Sequence, residues 1–579
     1  MDPLRKLFTG NLKPKQRQYE ALRMIAIDGS SYEDAANKFG YSAQSVRNLK
    51  TLALSGRLEF FPDVSFGPRD SRTPPERVAR VFELRRTGQS IYEICEALKM
   101  AELPLPISTI ASILSKAAIP KLDRRTDYER GFSKKNLLVS DRAENLKFDD
   151  LEPFKIDCPV VGVFLLIPYI IESGIVDIVK KCVLPDSSDI GAGQAALAML
   201  LLKLIGSERL SHIQSYDQEP GFGIFAALNN LPKPSYMCTY SCRTTETMLE
   251  VLQKDFVSHC RRQFPDFYQS KFINLDFHSI PHFGDESHME KVWCGARHKS
   301  MKGANTMLAQ DGQSNVIIYT KADVLRKNEA QEIKGFVNYW KTIKGAVDET
   351  LVFDCKLTSY TVLGELNASD PIVSFITLRK RNATLLEETR QIPDDKWQKM
   401  HLPIPKRKNQ RFLVYDTEVL LKGCAKPFRQ IIVKDHGRVN PTFIITNNRN
   451  LDLQQVLEVY ARRWHIENKI NELVSFFNLN ALSSPLMIRI HFDIFWTTVA
   501  DTIYHRFAMD LPRYEKTRAP TLFKRFINFP GRIEYNGQSF KVKIRKRAHT
   551  PILLGVKKLT QPISVPWLNN KRLHIVWTA

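Results

Sequence analysis

Cysteine is sparse here. The 579 residues hold nine, dispersed and odd in number, which excludes a small domain stapled by disulfides and points to a reducing compartment. Long hydrophobic runs are also missing. The most apolar stretches, 158–171 and 197–205, fall short of the roughly 20 residues a spanning helix needs, and Pro168 interrupts the first. We therefore expect buried core there and no membrane partner. No apolar segment follows the charges of Met1-Asp2-Pro3-Leu4-Arg5-Lys6, so no secretory signal is expected. Acidic residues are outnumbered, 62 against 84 basic ones, for a formal net charge of +22. That imbalance suits polyanions, nucleic acid first and anionic lipid second. A hydrolytic Ser/His or Cys/His pair has no local signature. Cys238-x3-Cys242 and His278-x3-His282 have ligand-like spacing, but the 36 positions separating the pairs exceed what a zinc finger allows.

What is present suffices for a folded chain. Hydrophobic residues make up 43% and aromatics 10%, and the length implies three or four domains of roughly 100–200 residues. Periodicity divides the chain into a helix-turn-helix unit over 1–65 and a second such unit with its linker over 66–130. A mostly helical region over 131–265 leads into an α/β core, 266–382 and 448–510, interrupted by a β-rich insertion over 383–447. A basic region with a β-hairpin closes the chain over 511–579.

In the first unit, Ser42 is placed to cap a third helix that turns Val46, Leu49 and Leu52 inward. Gln44, Arg47, Asn48 and Lys50 are left outside, a set suited to base edges and phosphates of double-stranded DNA. Ser90 and Ser108 start the corresponding helices of the second unit. A structural bundle touching only protein is the alternative.

Between 272 and 478 the pattern reads strand (272–276), hairpin about Asp311-Gly312, helix (328–344), strand (350–354), helix, strand (372–378), β-rich stretch, long helix (452–478). This order fits a ribonuclease-H-like core carrying a β insertion. Asp276 and Asp354 each end a short apolar strand, where carboxylates emerge into a cleft and can share hard divalent ions. Glu467 is the candidate third acid. At 100° per residue, Val459, Ile466, Ile470, Leu473 and Phe477 fall within an arc of about 60°, the buried stripe of the last helix. Tyr460, Arg463 and Glu467 share another arc of about 60° beside it. A solvated Arg–Glu pair four residues apart would give the same spacing.

Tyr460-Ala461-Arg462-Arg463-Trp464-His465-Ile466-Glu467 resembles the Y-x2-R-x3-E signature of bacterial and archaeal insertion-sequence transposases of the DDE type. Leu275 to Gly284 is similar to that family's first-Asp strand, and Leu351-Val352-Phe353-Asp354 to its second. The acids are 78 and 113 residues apart, and the resemblance covers about 195–500. It implies that Asp276, Asp354 and Glu467 bind two Mg²⁺ or Mn²⁺ ions, and that Tyr460 and Arg463 contact phosphates near the cleaved end. It further implies a homodimer on paired transposon ends, a hairpin intermediate, and a cytoplasmic, nucleoid-associated protein of a prokaryote. One departure stands out. The family often carries a Lys seven residues beyond the Glu, and here that residue is Val474. Lys469 or Arg462 substitutes, or the ends are bound differently, or the copy is inactive. A non-catalytic DNA-binding regulator and a structure-selective nuclease are the rival readings.

Residues 531–579 hold ten basic residues against one acid, Glu534. The hairpin about Asn536-Gly537 alternates Phe540, Val542 and Ile544 with Lys541, Lys543 and Arg545, so one face packs inward and the other is a cationic stripe suited to DNA. Edge-strand protection is the alternative. Lys406-Arg407-Lys408 with Arg411 is a second basic cluster, inside the β-rich segment.

Overall fold

The computed structural model describes residues 12–61, 73–87, 89–120, 122, 142–284, 289–322, 324–403, 411–481 and 486–579. The cluster Lys406-Arg407-Lys408 and the linker residues 123–130 lie outside them. The chain divides into two units, Met1–Arg124 and Arg125–Ala579.

The first unit holds two sets of three helices. Pro14–Ala26, Tyr32–Phe39 and Ala43–Leu54 begin where the sequence supplies start signals. The Ser31 and Ser42 side chains accept the backbone N–H groups of Asp34 and Ser45, satisfying donors that a helix start leaves bare. Gly40, at φ 71°, ends the second helix in the left-handed conformation that glycine adopts without strain. Small side chains, Ala21, Ala35, Ala36 and Val46, make the core. Leu52, expected to face inward, is 41% exposed, because the last turn of its helix carries no buried residue. In the second set, Pro75–Arg86, Ile91–Met100 and Ile107–Lys116, larger residues do the packing, among them Val81, Ile94, Leu98, Ile110 and Leu114. Ser90 and Glu93 form a reciprocal capping box. The third helix starts from Pro106, so Ser108 lies inside its first turn rather than capping it.

The second unit is mixed α/β. Strands β1 (Phe154–Cys158), β2 (Phe272–Pro281), β3 (Lys291–Cys294), β4 (Lys299–Asp311), β5 (Ile317–Lys321), β6 (Thr350–Val352) and β7 (Phe375–Leu378) are followed by β8 (Gln398–His401), β9 (Arg411–Val419), β10 (Phe428–Lys434) and β11 (Thr442–Thr446). Strands β2 to β11 form one ten-stranded sheet in the order β3-β4-β2-β6-β7-β11-β10-β9-β8, with β5 also paired to β4. The β-rich segment thus continues the central sheet through an antiparallel β7–β11 pair. β2, β4 and β5 are antiparallel neighbours, whereas β6 runs parallel to β2, and β7 parallel to β6.

A second sheet gathers β1 with β12 (Gly531–Tyr535), β13 (Ser539–Arg545), β14 (Ile563–Ser564) and β15 (Arg572–Thr578) in the order β1-β12-β13-β15-β14. Sequence reasoning missed β1, whose five residues pair with β12 across more than 370 positions of chain. Helices Ala192–Leu204 and Met487–Met509 pack against each other in the main core, with nearly every residue of the first and most of the second buried. The apolar run from 161 folds as a bent pair of short helices, Val161–Glu172 and Ile175–Lys181, and no single helix among the described residues is long and apolar enough to cross a membrane.

Candidate active site

β2 does not end at Asp276 as its apolar run suggests; it continues to Pro281. What ends there is its pairing with β6. The last paired residues are Asn274 and Val352, so Asp276 and Asp354 each stand two residues beyond the final parallel contact, on strands spaced about 4.8 Å apart. The carboxyl ends of parallel strands, where pairing stops, are where α/β sheets open a cleft. The side chain of Asp354 accepts the Lys356 backbone N–H at 2.8 Å. Its backbone carbonyl accepts the Thr377 hydroxyl of β7 at 3.3 Å. Both contacts fix the turn that leaves β6.

The segment 452–478 is two helices rather than one: Leu453–Arg462 and Trp464–Ser475. Arg463 is the junction, with its N–H turned to the Tyr460 carbonyl three residues back. Asp452 and Gln455 cap the first helix reciprocally. Ile466, Ile470, Leu473 and Phe477 are buried as the periodicity predicts, each worth about 1.5–3 kcal/mol of apolar transfer. Such an anchor holds the neighbouring face in place.

From that face the guanidinium of Arg463 donates to Asp276 Oδ2 at 3.1 Å and to Glu467 Oε1 at 2.9 Å. It lies 6.0 Å from the Tyr460 ring centroid. The Arg463 and Asp276 side chains are 14% and 13% exposed, whereas Glu467 is 59% exposed. Burial, foremost, pushes the Asp276 carboxyl up to about 6, with Asp354 and Glu467 adding to the rise and Arg463 opposing it. Burial works against the charge of Arg463, but Asp276, Tyr460, Glu467 and Asp354 outweigh it and raise its pKa. Burial likewise lifts the Tyr460 hydroxyl well above its usual range. Three carboxylates therefore act on a single cation. Three carboxylates against one guanidinium leave surplus negative charge, and an all-oxygen set suits a hard divalent ion. As they stand, no three such side chains among the described residues surround a common point as metal ligands, because Arg463 lies between Asp276 and Glu467.

A fourth carboxylate escaped sequence reasoning. Glu329, just ahead of the helix Glu332–Lys344, accepts the Asn305 amide of β4 at 3.0 Å. Burial raises its pKa, Lys356 and Arg326 oppose, and Asp354 adds to the rise, so it shares the Asp354 side of the site. No motif marks Glu329; only the fold brings it there.

The cation expected near Val474 is not Lys469. That side chain is buried, donating to Glu472 at 3.1 Å and Asp501 at 2.9 Å. Arg462 is 73% exposed beside Glu458 at 3.8 Å. Val474 itself lines a cleft of about 480 Å³ together with Glu467, His278, Trp293, Arg297 and Asn480. His278 is held by Asn480 at 2.7 Å, and Cys242 accepts from Arg489 at 3.1 Å.

The remaining candidates lie elsewhere in the chain. In the first unit, Gln44, Arg47, Asn48 and Lys50 are exposed on one helix. Gln44 donates to Asn48 at 3.1 Å, Arg47 pairs with Glu33 at 3.4 Å, and Lys50 donates to the Tyr32 hydroxyl at 2.9 Å. Lys541, Lys543 and Arg545 share the outer face of β13, which has neighbours on both sides and is no edge strand. Lys543 is tied to Glu534 at 2.8 Å.

Residues 269–500, the segment that carries Asp276, Asp354 and Glu467, match the family described as the transposase DDE domain. No curated protein matches the chain. Among solved structures, a piggyBac transposase synaptic complex with hairpin DNA is similar over 66% of this chain and 81% of that one, at 11% identity and a TM-score of 0.32. The catalytic domain of human Endonuclease V is similar over 38% and 89% respectively, at 11% identity and a TM-score of 0.17.

Proposed function

We propose that the protein is a DNA transposase that binds the terminal inverted repeats of its element and cuts and joins strands in a metal-dependent reaction. The Arg463 guanidinium, bonded to Asp276 and Glu467 with Asp354 within electrostatic reach, carries this reading. The strand order β5-β4-β2-β6-β7, three antiparallel strands followed by two parallel ones, supports a ribonuclease-H-like core. Asp276, Asp354 and Glu467 would hold Mg²⁺ or Mn²⁺, which when bound activates the attacking oxygen and stabilises the leaving one.

Arg463, now the partner of two of those carboxylates, becomes free beside Tyr460 to hold a phosphate of the cleaved end. A water oxygen attacks phosphorus at the element boundary and the bond to the 3′ oxygen breaks. The freed 3′-hydroxyl then attacks a phosphorus of the target, forming a new ester bond as the target's own bond to its 3′ oxygen breaks and that oxygen leaves with the proton. The two three-helix sets act as helix-turn-helix units, with Gln44, Arg47, Asn48 and Lys50 toward the DNA, and Lys541, Lys543 and Arg545 contact its backbone. The enzyme works as a homodimer on paired ends, in the nucleoid of a prokaryotic cell.

The test incubates the protein with its own flanking DNA and Mg²⁺, beside Asp354→Asn. Nicking at the boundary by the parent and none by the variant is expected, and equal cutting by both removes Asp354 from the mechanism. Binding without cutting under any divalent ion would indicate a regulator. Cutting indifferent to the terminal sequence would indicate a structure-selective nuclease.

A further inference from the structure

Between 513 and 525 the chain carries five basic residues against one acid, Glu515. The segment contains a π-helix, Phe523–Ile527, in which the Asn528 N–H reaches back five residues to the Phe523 carbonyl. Such turns are rare and occur frequently at functional sites. Here the turn buries Phe526 and Ile527 while Lys524 and Arg525 stay exposed. They line an open groove of about 750 Å³ with Thr521, Arg547 and His549, and its lining contains no carboxylate.

The two arginines, Arg525 and Arg547, are held in position by aromatic rings. The Arg525 guanidinium lies 5.4 Å from the Tyr514 ring centroid and donates to its hydroxyl at 2.7 Å. Arg547 lies 4.9 Å from the Phe529 ring centroid. His549 packs against the Phe526 ring at 5.6 Å. Among the described residues, none of Lys524, Arg525 and Arg547 has an ion-pair partner, whereas Lys543 of the β13 stripe is paired with Glu534. Planar guanidinium groups fixed on rings lose little freedom when they meet phosphate.

The segment that forms the groove also touches the helix that carries Glu467. The Ala519 N–H, four residues before the π-helix, donates to Glu472 at 2.7 Å, and Phe523 packs against Phe476 at 5.4 Å. Glu472 stands five residues beyond Glu467 on the same helix, a rise of roughly 7.5 Å.

We infer that this groove is a binding site for the phosphate backbone of double-stranded DNA, seating the duplex that runs away from the carboxylates. The inference rests on the DNA-processing reading above and deepens it. Lys524 and Arg547 supply cations to successive phosphates, and Arg525 braces the groove wall through Tyr514.

The test measures binding of the full chain to a short duplex of random sequence, without divalent ions, as salt is raised. Each phosphate contact contributes roughly 0.9 to the slope of log affinity against log salt. The Lys524→Gln/Arg547→Gln double variant should therefore lose about 1.8 from the magnitude of that slope. A Lys180→Gln/Lys181→Gln variant, equal in charge removed but on the exposed end of Ile175–Lys181, should keep the parental slope. Circular dichroism and melting confirm that both fold. A parental slope in the groove variant, or an equal loss in the control, overturns the groove as the site. Failure of the parent to bind any duplex overturns the DNA reading itself, whereas binding without cleavage leaves the groove standing and removes only the catalytic proposal.

Discussion

Arg463 donates to Asp276 at 3.1 Å across 187 positions of chain, joining the first core strand to the junction of two helices. The same guanidinium reaches Glu467 at 2.9 Å. A planar fork can serve both carboxylates at once; a lysine ammonium, a single point of charge, cannot do so with the same geometry. Arg463→Lys should therefore keep the fold yet lower cleavage of end DNA by roughly 10²-fold or more, the scale of losing one fixed donor to a developing charge. Single-turnover nicking beside a melting curve measures both, and unchanged nicking would remove Arg463 from phosphate contact.

If the carboxylates hold Mn²⁺, the ion stabilises only the folded chain. At a free concentration a hundred times the dissociation constant, the gain is about 2.7 kcal/mol. The parent's melting temperature should rise with added Mn²⁺, and chelation should return it. Glu467→Gln and Asp354→Asn should melt at a temperature indifferent to the ion. A rise in the variants equal to the parent's places the ion elsewhere.

Lys469, Glu472 and Asp501 form a buried ionic cluster, with the half-buried His505 beside Asp501, that ties the Glu467 helix to Met487–Met509. Burial alone would raise the Asp501 carboxyl, but Lys469 and His505 outweigh it and hold it at about 2, below its ordinary 3.8. A depressed carboxylate contributes stability that is complete above about pH 4 and drains away as pH falls toward 2. Asp501→Asn leaves Lys469 with one carboxylate fewer, so unfolding at pH 7 should cost about 3–5 kcal/mol less than in the parent. Denaturant titrations at pH 7, 4 and 2.5 should show that gap shrinking in acid. A gap independent of pH would contradict the assignment.

In the helical arm, base-edge contacts and phosphate contacts predict different losses. Asn48→Ala should weaken binding to terminal DNA by about 1–3 kcal/mol and spare scrambled duplex. Lys50→Ala should weaken both alike and flatten the salt dependence by about one phosphate contact. Competition binding on the two duplexes separates these outcomes. Equal effects of the two substitutions would argue for a protein-packing role.

The reading of Tyr460, Arg463 and Glu467 as one face survives the break at Arg463, because a single tightened turn leaves residues three and four apart on the same side. The Asn536-Gly537 turn was equally legible, since Gly537 at φ 91° is a position where glycine alone is unstrained. Lys469 shows the limit of such reading. Its angle on the helix does not reveal that Asp501, 32 residues away, captures it.

The sequence by itself determined the local elements and the types of side chain available: strands from alternation, helices from period and caps, and a cationic chain from its count of charges. Only the tertiary structure decided where pairing between β2 and β6 stops, and so that Asp276 and Asp354 stand side by side. It also decided that Glu329 comes within electrostatic reach of Asp354, that β1 joins the C-terminal sheet, and that Lys524, Arg525 and Arg547 share a groove without an acid. Periodicity records which face a residue occupies along its own element, but contacts between elements depend on register and packing, which are properties of the whole chain.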